Sequence, residues 1–331
     1  MKKITYILGF VLMGINATSQ DFHLSQYDNV VQYINPAYIG YNIGDKEDYR
    51  VSIDHRNQWA MITNKPYRNF LFSYDQKIDK KFSVGGHFMS NNASLNNINT
   101  FNIMLAGSYN IIQNPISEHK LKAGLQLGIF HRYIDYDEHT WDAQYSTVSG
   151  TFNTDESSGE VFQKNNYTRL DAGLGMYYQM ESDNMFNPFG GFSLRHISFP
   201  NEAIALDRFT LPMHWILHGG TGITINKEWS VSPNVLFMYQ KAAWEFNFGA
   251  MGQYNIRDTD YSVMLGLNHR LKDAVIIHAG FKYKKSVIRF SYDINSSYLY
   301  SYTNHRGAFE FSIGYIGSFT ETARLFKPSF K

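Results

Sequence analysis

Phe101-Asn102-Ile103-Met104-Leu105-Ala106-Gly107-Ser108-Tyr109-Asn110-Ile111 is the stretch from which the rest of the chain can be read. Phe101, Ile103, Leu105, Tyr109 and Ile111 share one parity, while Asn102, Ala106, Ser108 and Asn110 share the other with Met104. A helix would scatter these sets around its axis. A strand points successive side chains to opposite sides, so it sorts them onto two faces. The same period of two recurs from about Tyr49 to Phe319 and divides into about fourteen segments.

Those segments are expected near 49–58, 68–77, 81–91, 99–111, 119–133, 167–180, 189–197, 213–225, 229–239, 243–254, 261–270, 274–283, 286–294 and 307–318. Most approach the 9–11 residues, roughly, that a tilted strand needs to cross a bilayer. The links between them alternate in length. Ile78-Asp79-Lys80, Asn226-Lys227-Glu228 and Lys284-Lys285 are short, whereas Ile134 to Asn166, Ser198 to Pro212 and Asn295 to Arg306 are long. Outer-membrane barrels have short periplasmic turns and longer outer loops, and an even strand count leaves both chain ends in the periplasm. The links near Gln240 and Lys272 are short where this rule expects length. The reading is an all-β, transmembrane, antiparallel up-and-down barrel of outer-membrane type.

Composition agrees with that class. Of 331 residues, 24 are Tyr and 25 are Phe, which suits the aromatic girdles of a membrane barrel. The mean hydropathy of −0.35 is too polar for a bundle of membrane helices. A net charge of +1 gives no long-range pull on nucleic acid. The absence of Cys removes disulfides, thiol nucleophiles and Cys-based metal sites. Met1 to Ser19 has Lys2 and Lys3, an apolar run from Ile4 to Ile15, and Ala17-Thr18-Ser19 at its end, so it reads as a secretory signal peptide. The expected organisation is a signal peptide at 1–19, a periplasmic or lumenal arm at 20–48, the barrel at 49–319 and a periplasmic tail at 320–331.

Parity assigns the faces. Leu170, Ala172, Leu174, Met176 and Tyr178 should face lipid, as should Trp244, Phe246 and Phe248 and then Ile288, Phe290 and Tyr292. The opposite face collects Asp54, Arg56, Arg132, Arg169, Asp171, Arg195, Glu245, Lys282, Arg289, Asp293 and Glu310. A selective ion pore shows rings of one sign. A mixed set can pair across the barrel and fill it, so a plugged or narrow interior is expected.

Other features invite chemistry and do not sustain it. His214 and His218 are four apart, but on a strand both simply face inward, and His131 and His139 have no ligand partner at metal-site spacing. Gly219-Gly220-Thr221-Gly222 lacks the Lys-Ser/Thr of a phosphate loop; strand glycines instead mark curvature or close approach. Asp135, Asp137, Glu138, Asp142, Asp155, Glu156 and Glu160 gather in the longest loop without EF-hand spacing. No Ser-His-Asp arrangement stands out. Neither an enzymatic activity nor a cofactor is expected. Trp141 and Tyr145 in the longest loop, and Tyr298, Tyr300 and Tyr302 in another, are candidate partner-binding anchors, because Tyr and Trp bind efficiently.

Gln20 to Tyr27 (QDFHLSQY), Asn35-Pro36-Ala37-Tyr38-Ile39-Gly40, Tyr49-Arg50, His55-Arg56-Asn57-Gln58-Trp59 and Ser73-Tyr74-Asp75-Gln76 follow in order. In that order they resemble the PorP/SprF family of Bacteroidota. His55 stands where Tyr is usual, and Phe22-His23 where Pro is frequent. The resemblance implies an outer-membrane barrel linked to type IX secretion, without catalytic residues or cofactor. It further implies partners among the secretion components and, in some members, the C-terminal domain of a large surface adhesin, sometimes in gliding motility. The expected function is therefore a non-enzymatic barrel, embedded in outer-membrane lipid, for export and surface anchoring of an adhesin. A porin or transporter for a small solute is the alternative.

Overall fold

The computed structural model describes residues 22–44, 46–93, 97–114, 116–136, 139–159, 165–201 and 210–319. The expected signal peptide and C-terminal tail lie outside these residues, as do Asp137, Glu138 and Glu160 of the acidic loop.

Fourteen strands form the wall: β1 Tyr49–Gln58, β2 Tyr67–Lys77, β3 Phe82–Ala93, β4 Ile98–Asn110, β5 His119–Ile134, β6 Asn166–Met180 and β7 Phe186–Arg195 complete the first half. The second half is β8 His214–Thr224, β9 Trp229–Gln240, β10 Ala243–Asn255, β11 Tyr261–Arg270, β12 Ala274–Tyr283, β13 Ser286–Asn295 and β14 Arg306–Gly317. Each strand bonds antiparallel to the next in sequence, and β1 closes on β14 from Tyr49↔Gly317 to Gln58↔Ala308. Closure leaves the sheet no free edge strand, which hydrocarbon requires because it offers no hydrogen bonds of its own.

Strand boundaries depart from the sequence expectation most at β7. It begins at Phe186, ahead of Pro188, and stops at Arg195. Pro188 is tolerated because pairing with β6 spans only Leu174↔Leu194 to Gln179↔Phe189 and does not reach it. The strand ends where His196 takes a left-handed backbone, φ 58°.

The two faces separate as the parity predicts. Leu105, Leu170 and Leu265 are 72%, 77% and 64% exposed on the outside, while Asn102, Asp171 and Asn268 are buried inside. Loops longer than the turns cluster at one end, and the longest carries a small hairpin pairing Tyr145 with Phe152. Inside the wall lies residue segment 22–44, which carries a one-turn helix α1 (Val31–Ile34) and a 3-10 turn at Pro36–Tyr38. Leu24, Val30, Tyr33 and Ile34 of this arm pack on Leu71, Ile216, Leu236 and Met238 of the wall. The apolar core is thus the contact between arm and barrel, which no single strand could supply.

Candidate functional site: the occupied lumen

The first described residues of the arm lie at the long-loop end. His23 Nδ1 lies 3.0 Å from Glu245 Oε2, beside the tight turn between β9 and β10. The chain then runs down the lumen. The backbone N–H groups of Ser25 and Gln26 donate to the two Glu310 carboxylate oxygens at 2.8 and 2.6 Å, and Ser25 Oγ donates to Asp293 at 2.6 Å. Two arginines complete this knot. Arg56 donates to Asp293 at 2.8 Å and to Glu310 at 3.1 Å, and Arg270 reaches Asp293 at 2.6 Å and Asp273 at 2.5 Å. Both arginine side chains are 1% exposed. An ion pair so deep survives only when every charge has partners, and the arm supplies some of them.

Halfway down, Arg289 grips Asp28 with two bonds of 2.8 and 2.9 Å. Burial works to raise the Asp28 carboxyl, but the Arg289 guanidinium outweighs it and holds the group below the ordinary carboxylate range. Arg195 lies over the Tyr33 ring at 4.2 Å, a cation–π contact.

Asn35-Pro36-Ala37 then turns the chain. The Asn35 side chain accepts from Ala37 N–H at 2.9 Å, Pro36 opens the 3-10 turn with its fixed φ, and Asn35 Nδ2 donates to the Met176 carbonyl of β6 at 2.9 Å. The wall makes room with glycine. A Cβ on Gly124 would meet Ala37 N at 2.3 Å, and one on Gly175 would meet Asn35 Oδ1 at 2.1 Å. At the short-turn end Asp75 ties the arm off: it accepts from Gly40 N–H at 2.7 Å and from Arg50 at 3.0 Å. Lys122 and Ser108 both donate to the Ile39 carbonyl. Tyr38, Tyr41 and Tyr177 pack edge-on and tilted against one another here, and burial pushes the Tyr41 hydroxyl up to about 12.

Of the charges read as inward, the arm and its knot engage Arg56, Arg195, Glu245, Arg289, Asp293 and Glu310. Arg169 and Asp171 do other work near the rim. Arg169 Nε donates to the Asn201 carbonyl at 2.9 Å, and Asp171 lies 2.8 Å from His196 Nδ1, holding the turn that ends β7. Arg132 donates to Thr100 at 3.2 Å. Sequence reading passed over Arg270, Lys122 and Asp28. The first two fall at inward parity and could have been found; Asp28 lies in a segment without a period.

The candidate aromatic anchors form two patches, not one. Their loops follow β5 and β13, with β6 to β13 between them one way and β14 to β5 the other, so they stand on opposite sides of the mouth. Tyr298 and Tyr302 are 85% and 81% exposed. Tyr300 instead stacks on His305, because Tyr300–Thr303 is a helical turn (α2) and the alternation of an extended chain is lost there. Tyr145 packs on Phe152, and Trp141 is half-buried against His139. Among the described residues no group of three or more His, Cys, Asp or Glu could hold a metal.

A closed even-stranded cylinder, apolar outside and polar within, with its long loops at one end, is an outer-membrane β-barrel, here with a lumen occupied by its own N-terminal segment. The wall resembles solved outer-membrane channels. The toluene transporter TbuX of Ralstonia pickettii is 11% identical with a TM-score of 0.53, over 88% of this chain and 94% of that one. The toluene transporter TodX of Pseudomonas putida is 11% identical with a TM-score of 0.53, over 91% and 96%. The monoaromatic hydrocarbon channel CymD is 12% identical with a TM-score of 0.53, over 94% and 97%. At such identities the likeness is one of fold. No curated protein matches the sequence. The family is nonetheless plain: the profile of the type IX secretion system membrane protein PorP/SprF matches residues 16–315, and the chain belongs to that family. It is an outer-membrane protein of type IX secretion.

Proposed function

We propose that this barrel works without catalysis as a partner of type IX secretion that holds the C-terminal domain of a secreted adhesin at the cell surface. The observation that carries the reading is the arm. It occupies the lumen from His23 at one end to Gly40 at the other and is tied to charges on β1, β2, β10, β13 and β14. A lumen filled in this way leaves the loop ends as the working surfaces. The outer end offers Tyr298 and Tyr302 on one side and Tyr145 with Trp141 on the other, and amphipathic rings of this kind make strong anchors for a protein partner. The short-turn end faces the periplasm, where the secretion components operate. A contribution to gliding motility belongs to the same proposal, through the adhesin.

Deleting the gene and counting adhesin on intact cells tests the reading. Loss of surface adhesin with its accumulation in the medium or periplasm is expected. Full surface retention would end the proposal. Detergent extraction with an affinity-tagged barrel, followed by mass spectrometry, identifies the adhesin directly.

A further inference from the structure

The arm fills the lumen unevenly. Towards the short-turn end it covers the inward residues of β1 to β4: Ser52, Ser73, Ser83 and Ser108 are all buried. In the same half of the barrel, Ser230 and Ser232 of β9 and Gln253 of β10 also point inward but are only half-buried. Between these residues and the arm lies a lumen cavity of about 370 Å³. Tyr27 closes its inner end, where the hydroxyl donates to Asn234 Oδ1 at 2.8 Å. Its mouth is at the short-turn end. Asn42 is exposed there, and Gln179, Asn187 and Ser230 stand beside the strand termini Met180, Phe186 and Trp229. Asp28 sits within the lumen yet keeps 43% of its side chain exposed, because the cavity reaches it.

The glycine run of β8 helps to make the room. Gly222 falls at inward parity and lines the cavity. A Cβ there would meet nothing nearer than the Asn187 carbonyl oxygen at 3.9 Å. Close approach therefore does not demand glycine at this position, and the missing side chain is part of the cavity. The lining is also neutral. Among the described residues that form it, Asp28 alone carries a formal charge, and Arg289 already spans that carboxylate with bonds of 2.8 and 2.9 Å. The amides of Asn42, Gln179 and Gln253 and the hydroxyls of Ser230 and Ser232 supply donors and acceptors. Gln179 Oε1 is buried without a hydrogen-bond partner, which costs free energy until something donates to it. Tyr38, Tyr41 and Phe189 add aromatic surface.

We propose that this cavity is a binding site for a neutral disaccharide, entered from the periplasmic end. A sugar ring carries hydroxyls that both donate and accept, and a C–H face that is apolar. The amides and hydroxyls of the lining answer the first, and the rings answer the second. A short peptide, a sugar acid or a sugar phosphate brings formal charge. The lining holds no free counter-charge for it, and burying an unpaired charge costs far more than burying a hydroxyl that finds a partner. The volume lies within the range of about 300–1,000 Å³ typical of small-molecule sites. The inference rests on the lumen and stands independently of the adhesin reading.

The chain has no Cys, so single-cysteine labelling is clean. Ser232→Cys in the cavity and Tyr302→Cys on the outer loop are each made in the full-length protein, purified in detergent and labelled with a small maleimide. Millimolar cellobiose or diacetylchitobiose is expected to slow labelling of Ser232→Cys several-fold and to leave Tyr302→Cys unchanged. Trialanine and digalacturonate at the same concentration should protect neither. Protection by cellobiose alone assigns a plain glucan as the source, protection by diacetylchitobiose alone an N-acetylated glycan, and protection by both the chemistry they share; each supports the proposal. Calorimetry on the protein without added Cys then reads affinity for the protecting sugar. Gly222→Leu, which fills the cavity from the wall, should abolish binding, and Gln253→Met, which keeps the shape and loses the amide, should weaken it several-fold. Heat-modifiable migration of each variant reports that the barrel has folded. Protection by neither sugar would overturn the proposal. So would equal protection by trialanine or digalacturonate, or binding that both folded variants leave unchanged.

Discussion

Arg56 on β1 and Glu310 on β14 are register partners across the seam where the barrel closes, and their side chains are joined at 3.1 Å in its interior. Glu310 also receives the backbone N–H groups of Ser25 and Gln26. One carboxylate therefore couples the first strand, the last strand and the arm. Removing a partner from a buried ion pair leaves the other charge stranded, at a cost of about 3–5 kcal/mol. Arg56→Met should lose that order of stability, read as a lower temperature of heat-modifiable migration and a lower urea midpoint in lipid. Arg56→Lys should recover only part of it, since one ammonium cannot span both carboxylates as the planar guanidinium does.

The arm should govern conductance. The full-length protein is expected to show no large, stable single-channel step in a planar bilayer, whereas deletion of residues 22–44 should open one. A large step from the intact protein would contradict the plugged lumen.

Acid should loosen the arm at Asp28. Its folded-state carboxyl is held below the ordinary range, so its contribution is present above the unfolded pKa and disappears as pH falls through the lowered folded value. Asp28 keeps water at its edge, with 43% of its side chain exposed, so the effect is partly screened. Protease accessibility of the arm should rise in acid in the wild type. Asp28→Asn should be looser at neutral pH and nearly flat across the same range.

The lipid face should reject charge. Leu265 is 64% exposed near the middle of β11, and Leu265→Arg should cost about 2–4 kcal/mol in unfolding from a bilayer. An outward position that tolerated Arg at no cost would contradict the face assignment.

The two aromatic patches should act separately. Tyr298→Ala with Tyr302→Ala is expected to release adhesin from intact cells several-fold without changing barrel folding, as is Trp141→Ala with Tyr145→Ala. Because the patches sit across the mouth from each other, combining the pairs should cost roughly the sum, as for distant independent sites. Flow cytometry with anti-adhesin antibody measures both.

The wall was legible because period two is enforced at every position: hydrocarbon on one side and a polar lumen on the other leave a strand no freedom to mix them. The arm was not. Residues 22–44 pack against strands from every part of the chain, and no local repeat records which. Asn35-Pro36-Ala37 makes its turn locally, since an Asn cap and a proline act over two or three residues. Nothing nearby announced that Asn35 would bond to Met176, or Asp28 to Arg289. The place of Tyr300 was hidden for a different reason: it stands two residues from Tyr298 and from Tyr302, and a single helical turn, too short to leave a period, sets it against His305.

The arm lies with its first described residues at the outer mouth, although β1 begins at the periplasmic end. A cylinder already zipped shut would have to be threaded from beneath. The wiring of Ser25 and Gln26 to the last strand, which is synthesised after them, argues for the reverse order of biogenesis. The leader segment is laid along an open sheet, and the final hairpin swings over it, with Glu310 as the clasp. On that scheme a chain lacking its arm still closes, as the unplugged barrel, but rolls up more slowly for want of the mandrel that its sheet would otherwise wrap.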